Sequence, residues 1–230
     1  MNKPLKIIIL AIVFIIPIAI LMFLHLFGEN KYDVPPVDLE AQKASLQIYN
    51  PQSVNCPTPT SQDGVHRIPD FTFIDQDGKP FTKENLKGKV YVTDFFFTRC
   101  PDICLSMTSE LLRVHDKFKN RQDFMILSHT VDPEYDSANV LRDYAQKNGI
   151  DTQKGWTFLT GEKQKIYDLA ACGYFIAAKP AEPQKINFIH SDKLVLVDKN
   201  GRIRGYYSGT NREEVDRLIT EAFILLQNEL

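Results

Sequence analysis

Cys100 and Cys104 stand four residues apart in Cys100-Pro101-Asp102-Ile103-Cys104, between a β-branched and aromatic run over Val90 to Phe97 and a stretch of helical period. A strand, loop and helix in that order set the first thiol near a helix N-terminus. There, free amides and the helix dipole favour thiolate, the form that attacks disulfides and binds metal. Three intervening residues leave the sulfurs able to close a small disulfide or to pinch one soft ion. A plain structural staple on a turn is the competing chemistry, because cysteines of exported domains mostly serve stability.

The rest of the chain must position that pair. From Phe71 onward, strand and helix signals alternate. Phe71 to Asp75 and Val90 to Phe97 read as strands. After the cysteine loop, a helix is expected from about Ile103 to Phe118, with Ile103, Met107, Leu111, Val114 and Phe118 on one stripe. Phe124 to Ser128 reads as a buried strand, and Ser137 can cap a helix carrying Val140, Leu141, Tyr144 and Ala145 that Asn148-Gly149 would end. Next come a short strand over Trp156 to Leu159 and a helix over Glu162 to Ala170. A hairpin then runs from Leu194 to Asp198 through Asn200-Gly201 into Ile203 to Tyr207. Thr210-Asn211-Arg212-Glu213 has capping-box spacing ahead of an amphipathic helix on Val215, Leu218, Ile219, Ala222, Phe223 and Leu226. This order, with the dithiol after the first core strand, is that of an α/β, thioredoxin-like domain.

Ahead of it, Leu5 to Phe27 is apolar but for Lys6, Pro17 and His25, and about 20 residues suffice to cross a bilayer as a helix. His25-Leu26-Phe27-Gly28-Glu29 offers no small-x-small cleavage site, so a retained single transmembrane helix is expected. Lys3 and Lys6 precede the span while Glu29 and Asp33 follow it, which puts the N-terminus inside and the domain outside. Without an Arg-rich, Ser-rich transit segment, the expected site is a bacterial inner membrane with the domain in the periplasm. Residues 1–28 then form the anchor, 29–67 a tether rich in Pro, Asn, Gln and Ser, and 68–230 one domain with a real core. A net charge of -2 gives no basic footprint for nucleic acid, and there is neither a repeat nor a low-complexity run.

Behind the anchor, four motifs follow in order: Phe95 to Cys104 (Phe-Phe-Phe-Thr-Arg-Cys-Pro-Asp-Ile-Cys), Val131 to Asp136, Gly155 to Gly161, and His190 before Leu194 to Asp198. In these the chain resembles the SCO/SenC family over about Ile68 to Leu226. The resemblance implies a membrane-tethered, thioredoxin-fold copper chaperone. Its one copper ion would be held by the two motif cysteines and a distant histidine, by position Cys100, Cys104 and His190. The implied partner is the copper-binding subunit of cytochrome c oxidase, whose binuclear copper centre such proteins help to assemble. Family members usually carry Pro after the second cysteine. Leu105 departs from that pattern, which bears on how the helix begins but brings no competing ligand atom.

Two thiolates and an imidazole form a soft, low-coordinate set that suits Cu(I) and accepts Cu(II) in a more tetragonal site, whereas zinc normally takes a fourth ligand. Phe188-Ile189-His190-Ser191-Asp192 occupies the stretch where thioredoxin-type reductases place a cis-proline loop, so a ligand stands in place of a substrate clamp. A disulfide cannot supply two thiolates, so an upstream thiol reductant, or a copper donor acting on the reduced pair, is implied. The alternative function is a thiol-disulfide oxidoreductase with Cys100 and Cys104 catalytic, reducing the oxidase subunit's cysteines before metallation. A third is a copper-dependent redox sensor without delivery. Peroxidase chemistry of the peroxiredoxin type would need Thr at Phe97, which is apolar.

Other candidates rank behind these. His115 shares the Cys104 face of its helix but sits about 16 Å along it. His25 belongs to the anchor and His66 to the tether. His129, after a buried strand, could approach the site or be a hydrogen-bonded structural residue. Met107 is expected in the core. Asp132, Glu134 and Asp136 lie near a strand end, where sites of α/β sheets gather, although a turn and cap role is the simpler expectation. Asp102 could tune thiol acidity, meet a partner or be merely solvated. Of the four cysteines, Cys56 and Cys172 remain. They pair if the motif cysteines are kept for copper in an oxidising compartment; otherwise Cys172 is a small buried hydrophobe and Cys56 a tether residue.

Overall fold

The computed structural model describes residues 13–23, 34–35, 65–101, 103–176 and 191–228. The chain divides into two compact units, Met1–Asp33 and Val34–Leu230. In the first, residues 13–23 are helical and their large apolar side chains are exposed. They belong to the apolar run Leu5 to Phe27, the remainder of which lies outside the described residues. Among the described residues no helix is long and apolar enough to cross a membrane.

The second unit is built on seven strands: β1 (Thr72–Asp75), β2 (Pro80–Thr82), β3 (Val90–Phe96), β4 (Phe124–Thr130), β5 (Trp156–Thr160), β6 (Lys193–Val197) and β7 (Ile203–Ser208). Their helices are α1 (Ile103–Phe118), α2 (Ala138–Lys147), α3 (Lys163–Asp168) and α4 (Arg212–Asn228). The sheet runs β2-β1-β5-β4-β3-β6-β7, with β3, β4 and β5 parallel at its centre and the flanking pairs antiparallel. This is the expected α/β, thioredoxin-like arrangement, with the dithiol following a central strand.

Strands covered on both faces read as continuous apolar runs rather than alternations, and β3 is buried at every position. Its even-numbered side chains share a face with α1 and α2. Phe96 meets the rings of Tyr144 on α2 and Phe158 on β5, and the Tyr144 hydroxyl lies 2.8 Å from Thr108 Oγ1 on α1. The odd-numbered ones face the other layer, where the Tyr91 and Tyr174 hydroxyls are 3.2 Å apart and Phe95 stacks on His129 at 5.0 Å.

Several local details differ from expectation. Asn211, not Thr210, caps α4: its Oδ1 accepts from Glu213 N at 2.9 Å and Glu214 N at 3.3 Å. The short α3 runs on into a π-helical turn, Leu169–Gly173. His66, assigned to the tether, is buried with Nε2 at 2.7 Å from the Gly173 carbonyl and its ring 4.4 Å from that of Phe175. The β6–β7 turn receives both ends of the entering chain. Ile68 N donates to Gly201 O at 2.9 Å. The Val34 carbonyl accepts from Arg204, whose guanidinium forms a buried ion pair with Asp198 at 2.8 Å.

Candidate metal centre

β3 ends at Phe96, and Phe97, Thr98 and Arg99 carry the chain past the end of that strand to Cys100, three residues before α1 begins. The Cys100 amide donates to Phe97 O at 3.2 Å, closing the turn, and the Cys104 amide donates to Cys100 Sγ at 3.4 Å. Both thiols are free and buried. The first turn of α1 thus supplies Cys100 Sγ with a backbone donor. Burial, and then the neighbouring Cys100, push the Cys104 thiol well above its ordinary range. The pair is therefore asymmetric: one sulfur accepts an amide of the helix start, and the other is held as a thiol by burial.

The carboxylates after β4 hold the loop. Asp136 accepts from Thr98 N at 3.1 Å, from the Thr98 hydroxyl, and from Thr130 Oγ1 at 2.5 Å. Arg99 donates to Asp132 Oδ2 at 2.7 Å, and its guanidinium carbon lies 3.9 Å from the centre of the Tyr135 ring. Asp132 and Asp136 thus act on the two residues immediately before Cys100, which fits the turn role expected of them and gives it a target. Glu134 is exposed and pairs with Lys163 at 3.5 Å.

One residue of this neighbourhood escaped the sequence reading. Asp94, in the middle of β3, is fully buried on the α1 side of the sheet, accepts from Ser128 Oγ at 2.6 Å, and has its carboxyl pushed up to about 7 by loss of solvent. Ser128 Oγ in turn accepts from Trp156 Nε1 at 3.0 Å. Its charge also raises the Cys104 thiol and the Tyr144 hydroxyl, the latter reaching about 12 chiefly through burial. The available signal was an ionisable residue inside an otherwise apolar strand.

The secondary candidates resolve plainly. Met107 is buried in the core. His115 Nε2 lies 3.0 Å from Lys154 O, with the ring against Trp156. His129 lies within β4 on the face opposite α1, in a box of Phe71, Phe73, Phe95 and Tyr174, with Nδ1 at 3.0 Å from Thr93 Oγ1. Burial lowers its pKa to about 3, so it is a neutral structural residue.

Among the described residues no three His, Cys, Asp or Glu side chains converge into a metal set. His190 and Asp102 lie outside the described residues, so of the expected ligand set the structure describes the two sulfurs and their supports. Cys172 is disulfide-bonded, and Cys56 also lies outside the described residues.

The SCO1/SenC family profile matches residues 59–222. The chain is 33% identical over 159 residues to the SCO1 protein homolog of Bacillus subtilis (strain 168), covering 68% of this chain and 81% of that one. Among solved structures it is similar to BsSco, a member of the Sco family of cytochrome c oxidase assembly proteins in which a disulfide switch has been identified. That likeness has 31% identity and a TM-score of 0.61, and covers 70% of this chain and 94% of that one. It is also similar to Bradyrhizobium japonicum ScoI with copper bound, at 25% identity and a TM-score of 0.54, over 66% of this chain and 98% of that one.

Proposed function

The chain belongs to the SCO1/SenC family, and from that membership we propose that it is a membrane-anchored copper chaperone serving assembly of cytochrome c oxidase. One copper ion is carried by Cys100, Cys104 and His190 and handed to the oxidase's copper-binding subunit. The observation that carries this reading is the pair of free, buried thiols joined by the Cys104 amide to Cys100 Sγ contact of 3.4 Å. Two adjacent sulfurs screened from water favour a soft monovalent ion, and an imidazole completes a low-coordinate set that also tolerates Cu(II). Loading displaces the proton that burial holds on Cys104, so copper affinity rises with pH. Leu5 to Phe27 crosses the bacterial inner membrane and leaves the domain in the periplasm, where an upstream reductant keeps the pair open.

The same pair supports a second reading, thiol-disulfide exchange on the oxidase subunit. It is favoured by the separation of an amide-solvated sulfur from a protonated one, and by the disulfide switch of the relative BsSco. Titration of the full-length protein with Cu(I) and Cu(II) against a competing chelator, with disulfide exchange assayed in parallel, tests the choice. His190→Ala should keep exchange and lose most of its copper affinity, because a two-sulfur site remains open to competitors. Parent-like affinity for both valences would remove His190 from the set.

A further inference from the structure

The end of the sheet remote from the dithiol carries a charge pattern that copper chemistry does not use. β3 and β4 begin side by side, Val90 opposite Phe124, and the β6–β7 turn lies next to them through the Tyr91 to Val197 pairing. Three segments meet at this end: 83–89 entering β3, 117–123 entering β4, and 198–202 joining β6 to β7. Together they hold Lys83, Lys87, Lys89, Lys117, Lys119, Arg121, Lys199 and Arg202, against Glu84, Asp123 and Asp198.

Pairing consumes part of this charge. Lys83 meets Asp70 at 3.2 Å, Lys119 meets Asp116 at 2.8 Å, Arg121 meets Asp123 at 2.7 Å, and Asp198 is taken by Arg204. Lys87, Lys89, Lys117, Lys199 and Arg202 then stand against Glu84 alone. Lys87 and Lys117 are exposed, and a groove of about 210 Å³ opens between Lys83, Glu84, Lys87, Asp198 and Lys199.

The chain also enters the domain here. Val34 is buried, with its carbonyl bonded to Arg204 beside the β6–β7 turn. If the apolar run ends in the bilayer at Phe27, only residues 28–33 separate lipid from this fixed point. The seven steps from Phe27 to Val34 reach at most about 25 Å even when fully extended. Tether length and charge, two independent features, select the same face.

We infer that this basic face rests on anionic phospholipid headgroups. The inference builds on the anchored topology proposed above and adds to it an orientation. Lysine and arginine side chains near an anionic surface gain an attraction that falls away within a Debye length, so a short tether and a basic face reinforce each other. The seven residues of β3 then carry the chain about 23 Å from the lipid side to the dithiol, which leaves Cys100 and Cys104 open to a partner rather than to the bilayer.

The full-length protein in nanodiscs of phosphatidylcholine, with or without phosphatidylglycerol, tests this by amide hydrogen exchange. Exchange in 83–89 and 198–202 should slow several-fold in the anionic discs, while the first turn of α1 is unchanged. Molar salt, or the Lys87→Glu/Lys199→Glu/Arg202→Glu variant, should abolish the slowing. Equal exchange in both lipids, or slowing confined to the α1 end, would overturn the inference. Alkaline carbonate extraction of the same protein from vesicles separates the two layers: release of the chain removes the anchor and the orientation together, whereas a retained chain with unprotected turns removes the orientation alone. Should the variant prove unfolded by circular dichroism, the salt response of the parent decides.

Discussion

Asp136 accepts hydrogen bonds from both the amide and the hydroxyl of Thr98, two residues before Cys100. With Thr130 as a third donor, the carboxylate ties the end of β4 to the loop bearing the first sulfur. Arg99, held by Asp132 and lying over Tyr135, adds a second tie one residue closer to the thiol. The sulfurs themselves are on a turn and a helix start, and these carboxylates supply the rigidity that such a position lacks.

Replacing Asp136 should show this directly. Asp136→Ala leaves three buried or half-buried donors without their acceptor, and is expected to cost on the order of 3 kcal/mol in urea unfolding. Alkylation of Cys100 in the folded variant should be faster than in the parent. A stable variant with parent-like alkylation would show that the loop is ordered by something else.

The pH dependence of stability turns on two buried groups that oppose each other. His129 is held near 3, so below about 6.5 the unfolded chain binds a proton that the folded one refuses, and stability falls as pH drops from 6.5 toward 3. Asp94 is raised to about 7, so the folded chain keeps a proton that the unfolded one releases above 3.8, and stability falls as pH rises from 3.8 toward 7. Each slope is about 1.4 kcal/mol per pH unit, and between about 3.8 and 6.5 they cancel. Relative to the parent, Asp94→Asn should therefore gain stability with rising pH across that window and His129→Phe should lose it. Urea titrations at four pH values read the difference; two variants running parallel to the parent would refute the assignment.

Leu105 stands where the family resemblance leads proline to be expected, and the structure indicates how much that matters. It is the third residue of α1, 52% exposed, in the first turn where amides have no partner within the helix. Leu105→Pro removes no helix hydrogen bond there and places a fixed φ at a tolerant position. The expected change is within about 0.5 kcal/mol by thermal unfolding, with copper stoichiometry unaltered. A loss of several kcal/mol would mean that the Leu105 amide has an acceptor in the loop.

The strands and long helices were legible because β3, β4 and α1 each bury a continuous run or a stripe whose period survives in the residues. The even and odd faces of β3 were not, since a strand apolar on both sides carries no alternation to say which layer each residue meets. That is why His129 could be imagined near the dithiol when it points into the opposite layer. β2 escaped because three residues around Pro80 carry too little pattern. Asn211 displaced Thr210 because both can cap, and only the direction of the chain entering α4 chooses between them. The role of Asp132 and Asp136 depends on β3 and β4 ending together, Phe96 opposite Thr130, a register that no local signal fixes.

The single tryptophan is placed as an optical gauge of the space beneath the dithiol helix. Trp156 is buried, touches His115 of α1, and reaches the Asp94 carboxyl through one hydroxyl. A proton gained or lost by Asp94 alters the field across the indole, and separation of α1 from the sheet admits water to it. The intrinsic emission of the unlabelled protein therefore follows events next to the cysteines, without attached dyes that would compete for the same thiols.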